Sequence, residues 1–168
     1  MTSHVKLFRY GTGMARSDEP RWLNPQEKEA WTGLVSLMML LPGKLEAPLR
    51  EVDLTFFEYL VLSHVSEAPH RRIRMSELAF LANGSLSRLS NVVKRFEQRG
   101  WVVRSPDPSD GRYTIAALTD VGFRLVAKAA PIHMRAVREL VLDPLTTTDK
   151  KALARIAAKL EVRPSDFE

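Results

Sequence analysis

The segment from Arg72 to Leu118 constrains this chain more than any other, because its backbone geometry must change repeatedly with almost no linker between changes. Arg72-Ile73-Arg74-Met75 alternates like a short strand. Ser76 is placed to cap a brief helix, Glu77 to Ala82, and Asn83-Gly84 is tight-turn chemistry. Ser85 is placed to cap a second helix that runs to Arg99 and stops at Gly100, a residue suited to a left-handed C-cap. Trp101 to Arg104 reads as a strand, SPDPSDGR at 105–112 as a loop turning at Asp110-Gly111, and Tyr113 to Leu118 as the returning strand.

A short helix, a turn, a second helix and a hairpin form a winged helix-turn-helix. Helices extend it on both sides. Asn24-Pro25-Gln26-Glu27 is a helix start, with Asn24 as N-cap and Glu27 at the capping-box position. The helix that follows carries Trp31, Leu34, Val35, Met38, Leu41 and Leu45, and Pro42-Gly43 is expected to kink or interrupt it. Thr55-Phe56-Phe57-Glu58 is a second capping box, and its helix ends before Pro69. Thr119 is placed to cap a long helix that Pro131 should bend or divide; a last helix follows Pro144, capped by Thr146 or Thr147. The expected fold is mainly α with a small β-hairpin wing. It divides into an extension at 1–20, a winged helix-turn-helix DNA-binding domain at 53–119, and a helical dimerisation region at 21–52 and 120–162.

The second helix of the motif must present two faces. At about 100° per residue, Leu86, Leu89, Val92, Val93 and Phe96 fall on one arc, expected to face the core. Ser87, Asn91, Lys94 and Gln98 fall opposite, flanked by Arg88 and Arg95. These side chains suit DNA: arginine can bond guanine with two donors, asparagine can pair with adenine, and serine and lysine hold phosphates. The charge agrees. Between Arg71 and Arg104 stand eight basic residues against two acidic ones, so this stretch holds the whole excess of a chain whose net charge is +5. At the hairpin, Asp110-Gly111-Arg112 puts an arginine at or beside the tip of a projecting loop, where it can enter the narrow, negative minor groove, with Asp110 near enough to orient it.

Residues 75–122, MSELAFLANGSLSRLSNVVKRFEQRGWVVRSPDPSDGRYTIAALTDVG, resemble the MarR family of regulators in the order and spacing of recognition helix, wing and following helix start. The resemblance extends over roughly Asn24 to Leu160. It implies a homodimer whose winged domains read double-stranded DNA at a pseudo-palindromic operator, usually as a repressor. By the same resemblance, Ser87, Arg88, Asn91, Lys94 and Arg95 occupy recognition-helix positions, behind the cap Ser85. Asp110 and Arg112 occupy the wing's Asp–Arg pair. Relatives of this type often bind a small aromatic ligand between dimer helices and winged domain, and Trp31, Met38, Phe57 and His64 are candidates for lining such a pocket.

A dimer also has an independent reason: the terminal helices carry more apolar side chains than a small winged domain could cover, and buried apolar surface is worth roughly 25 cal/mol per Å². Other classes fit poorly. There is no cysteine, and His4, His64, His70 and His133 are dispersed, so no metal site and no cofactor are expected. No nucleophile elbow, phosphate loop or HExxH motif appears, which argues against an enzyme. The longest apolar run ends at Pro42, far short of the roughly 20 residues that cross a bilayer, so the expectation is no membrane partner and a cytoplasmic location. The alternative function is a winged helix used for protein contact without DNA. That reading predicts an apolar or acidic outer face on residues 85–98, which Arg88, Asn91, Lys94 and Arg95 contradict.

Overall fold

The computed structural model describes residues 20–160. The expected extension therefore lies, apart from Pro20, outside the described residues, as do residues 161–162 of the expected dimerisation region. The chain divides into two compact units between Met38 and Met39.

The first unit is organised by its helix start. Asn24 Oδ1 accepts the Glu27 backbone N–H and Glu27 Oε2 accepts the Asn24 N–H, each at 2.9 Å. This reciprocal capping box satisfies two donors that the first helical turn leaves unpaired. It opens α1, Pro25–Leu49. Trp31, Leu34, Leu37 and Met38 are exposed on this stretch.

The second unit holds the rest of α1 and all that follows. A short 3-10 turn, Arg50–Val52, leads into α2 (Phe56–Glu67), and another, Pro69–Arg71, leads into β1 (Arg72–Arg74). Then come α3 (Met75–Leu81), α4 (Leu86–Gln98), β2 (Val102–Pro106) and β3 (Thr114–Leu118). After them stand α5 (Asp120–Val137), a π-helical turn at Arg138–Leu142, and α6 (Thr147–Lys159). The expected hairpin becomes a three-stranded antiparallel sheet in the order β1-β3-β2, with Ile73 opposite Ala116 and Val102 opposite Leu118. Leu62, Val65, Leu78, Leu89, Phe96 and Val102 are buried at the centre, so α2, α3, α4 and the sheet share one core.

Two local expectations, at Ser76 and Leu86, need correction, and at Pro42 and Pro131 the structure removes the alternative of an interrupted or divided helix. α1 continues through Pro42 to Leu49. One missing N–H costs one helical hydrogen bond, and Leu45 and Leu49 beyond it are buried, which offsets that loss. α5 likewise passes Pro131 undivided, with Ala129 and Ala136 buried on either side. Ser76 caps nothing: β1 runs straight into α3, whose N-cap is Arg74 without a side-chain bond, because the buried Met75 must already be helical to reach the core. Leu86, at the edge of the apolar arc and on the first residue of its helix, is 54% exposed. Among the described residues no helix is long and apolar enough to cross a membrane.

Candidate nucleic-acid interface

The turn that aims α4 is built tightly. α3 ends with Asn83 in the left-handed region at φ 49°, its N–H bonding the Phe80 carbonyl while the Gly84 N–H bonds that of Ala79. Gly84 leaves room for α2: a Cβ there would lie 2.8 Å from Cζ of Phe57, so the ring would have to shift. Ser85 Oγ then accepts the Arg88 N–H at 3.2 Å and starts α4, as the sequence predicts. The helix closes at Gly100, φ 69°, where the Trp101 N–H bonds the Phe96 carbonyl.

With Leu89, Val92, Val93 and Phe96 buried, the opposite face of α4 is Ser87, Asn91, Lys94 and Gln98, all exposed. Arg88 and Arg95 flank this face on the side of α2. The Arg88 guanidinium stacks on the Phe57 ring at 3.9 Å, and Arg95 Nη2 bonds Glu58 Oε1 at 2.8 Å. Arg95 nonetheless stays about half exposed, leaving its other donors free to face outward. Glu58 is buried and works three ways. Its Oε2 also accepts the Thr55 backbone N–H and hydroxyl, each at 3.0 Å. Burial pushes the Glu58 carboxyl up, but the Thr55 and Arg95 hydrogen bonds outweigh it and hold the group below the usual range.

The wing is braced from within. Asp107, buried in the loop, accepts the Ser109 backbone N–H at 2.8 Å and its hydroxyl at 2.7 Å, while Oδ2 takes Arg74 Nε from β1 at 2.6 Å. The Ser109 bonds first, and the Arg74 bond after them, pull the Asp107 carboxyl down to about 2. Arg74 also lies against the Tyr113 ring at 4.7 Å. Beyond this brace Asp110 grips Arg112 by two oxygens, at 3.0 Å to Nε and 2.7 Å to Nη2, leaving the arginine 84% exposed. The orienting bond expected from the Asp-Gly-Arg sequence is therefore present. On the far side of α4, Glu97 holds Arg104 of β2, tying α4 to the wing's base.

The cationic stretch is more neutralised than its composition suggests. Of its eight basic residues, Arg71, Arg74, Arg95, Arg99 and Arg104 have carboxylate partners, four of which (Asp120, Asp107, Glu58 and Asp53) come from outside the stretch. Arg72, Arg88 and Lys94 have no ion pair among the described residues. Sequence reasoning placed Glu58 in a capping box but missed its bond to Arg95, and it missed the brace of Arg74, Asp107 and Ser109, because these act through a partner distant in the chain or a loop fold that no period reveals.

The residues named for a ligand pocket lie in different surroundings. Trp31 and Met38, in the first unit, are about half exposed. Phe57 is committed to Gly84 and Arg88. His64 lines an open cleft of about 610 Å³ with Arg72, Ile73 and Arg74. Among the described residues no group of acidic, histidine or cysteine side chains could hold a metal.

A helix-turn-helix with a braced wing defines a class of regulators, and comparison with known proteins gives the family. A model described as MarR family matches residues 52–112. An HTH-type transcriptional repressor of Mycobacterium tuberculosis is 31% identical over 121 residues, 72% of this chain and 85% of that protein. An uncharacterised HTH-type transcriptional regulator of Bacillus subtilis is 30% identical over 91 residues, 53% of this chain, which spans only 62% of that relative's length. The crystal structure of Sco3205, a MarR family transcriptional regulator from Streptomyces coelicolor in complex with DNA, superposes with a TM-score of 0.80 at 40% identity. The match covers 85% of this chain and 90% of that one. The chain belongs to the MarR family of transcriptional regulators.

Proposed function

We propose that this regulator binds double-stranded DNA with α4 in the major groove and Arg112 in the adjacent minor groove, as a homodimer on a pseudo-palindromic operator, and represses transcription there. One observation carries the reading. The exposed face of α4, with Ser87, Asn91 and Lys94 flanked by Arg88 and Arg95, is polar and cationic, and the wing holds Arg112 outward beside it. Asn91 and Arg88 supply base-edge chemistry, while Ser87, Lys94 and Arg95 supply phosphate contacts. Asp110 acts on DNA only through Arg112. Ser85 acts through the helix start.

The dimer is supported by apolar surface on the terminal helices. Trp31, Leu37, Met38 and Met39 on α1, and Leu153, Ile156 and Leu160 on α6 or at its end, are 44–76% exposed. We assign the helices within 21–52 and 120–160 to dimerisation and residues 53–119 to DNA reading. Such a function also implies a cytoplasmic location and action by binding, not by catalysis.

Selection of bound duplexes from a random pool at physiological salt tests the reading. The expected product is a palindrome whose half-sites are centred about one helical turn, roughly 10 base pairs, apart. Affinity should fall steeply with salt as phosphate contacts release counterions, and Arg112→Ala should lower that log–log slope by about 1. Failure to capture any duplex at low ionic strength would sink the proposal.

A further inference from the structure

We propose that Leu86 is a specificity-determining residue that packs against the 5-methyl group of a thymine in each half-site. This deepens the DNA reading above and rests on it. Leu86 belongs to the recognition helix by position and to no core by packing, being 54% exposed at the first residue of α4. It lines a cleft of about 260 Å³ between α4 and the wing, shared with Ser90, Arg104, Arg112 and Tyr113. The cleft's rim decides what covers the leucine. An apolar protein surface laid over it would have to bury the guanidinium of Arg112, which is 84% exposed, at heavy desolvation cost. DNA meets both demands at once. Its minor groove takes Arg112, and its major-groove edges offer one apolar group, the thymine methyl.

The helix geometry agrees. With the buried arc of α4 centred on Leu89, Val92, Val93 and Phe96, Leu86 and Ser90 lie on the flank toward the wing. Arg88 and Arg95 lie on the flank toward α2, where Phe57 and Glu58 hold them. The two flanks therefore straddle the polar face, and Leu86 supplies the only exposed large apolar side chain on α4. An alanine at this position would leave Ser87, Asn91 and Lys94 in place and remove the methyl contact alone.

The test uses the full chain and its selected operator. Each thymine of a half-site is replaced in turn by deoxyuridine, which deletes only the methyl group, and binding is titrated at fixed salt for the native protein and for Leu86→Ala. One thymine per half-site should prove sensitive. Losing its methyl should weaken native binding about fourfold, and changing both half-sites together about fifteenfold, the effect of one buried carbon per site. Leu86→Ala should bind the unmodified operator more weakly and should ignore the substitution. The inference is overturned if no thymine is sensitive, or if Leu86→Ala keeps the full sensitivity. In both cases tight operator binding would leave the DNA reading intact, whereas absence of binding to any duplex would overturn both.

Discussion

Replacing Glu58 by glutamine separates the electrostatic role of this buried carboxylate from its shape. In the native protein its two oxygens receive the Thr55 N–H, the Thr55 hydroxyl and Arg95 Nη2, at 3.0, 3.0 and 2.8 Å. Glutamine has one oxygen and one NH₂ group. Whichever way the amide turns, its NH₂ faces either the Arg95 guanidinium or the Thr55 N–H, so two donors confront each other in a buried place. A buried donor left without an acceptor costs about 1–3 kcal/mol, and part of that is offset because the neutral amide is cheaper to desolvate. A net loss of about 1–2 kcal/mol corresponds to a fall in Tm of roughly 2–8 °C for a chain of this size, read by circular dichroism at neutral pH. The pH dependence has a definite sign. The Glu58 carboxyl titrates below its ordinary value in the folded state, so its contribution is complete above the unfolded carboxylate range and is lost as pH falls through the folded value. The gap between native protein and Glu58→Gln should therefore be full at pH 7 and close as the pH drops below 4. Meanwhile the variant frees Arg95, and its affinity for random-sequence DNA at low salt should rise. Equal Tm values at pH 7, or a gap that persists undiminished in acid, would refute the assignment of this stability to the charged network.

Gly84→Ala should destabilise the fold by about 1–3 kcal/mol in urea unfolding, since the new Cβ meets the Phe57 ring at 2.8 Å; adding Phe57→Leu to it should recover part of the loss. Asp107→Asn should loosen the wing and weaken operator binding in a mobility-shift titration, while the melting of the helical body changes little. In the native protein the Ser109 amide resonance should titrate near pH 2, not near 4. The brace is complete above the ordinary carboxylate range and is lost only as pH falls through about 2.

Much of the fold was legible because its signals are local. The caps Asn24, Thr55, Ser85, Thr119 and Thr146 each bond a residue three positions on, so the chain announces them in its own order. The polar face of α4 was legible for the same reason, a period of 3.6 residues. The interface was not legible where it depends on distance. Glu58 and Arg95 stand 37 residues apart and Arg74 and Asp107 stand 33 apart, so no window joins them. That gap matters for the reading of charge. The excess counted over Arg71–Arg104 pointed to a surface for a polyanion, yet five of its eight bases are already paired, and the pairs differ in what they leave exposed. Arg104 is 30% exposed and held to Glu97, a strut between helix and wing, whereas Arg95 and Arg112 keep half or more of their surface open while a carboxylate fixes their direction. A carboxylate behind an exposed guanidinium lowers the long-range attraction to DNA but reduces the rotamer freedom lost on contact. Lys94, with no such partner, carries the opposite balance. The long-range pull should therefore be undiminished at Lys94 and partly offset at Arg95 and Arg112, which meet the duplex already oriented. That division follows from which cations the fold pairs, which the sequence order of the charges does not show.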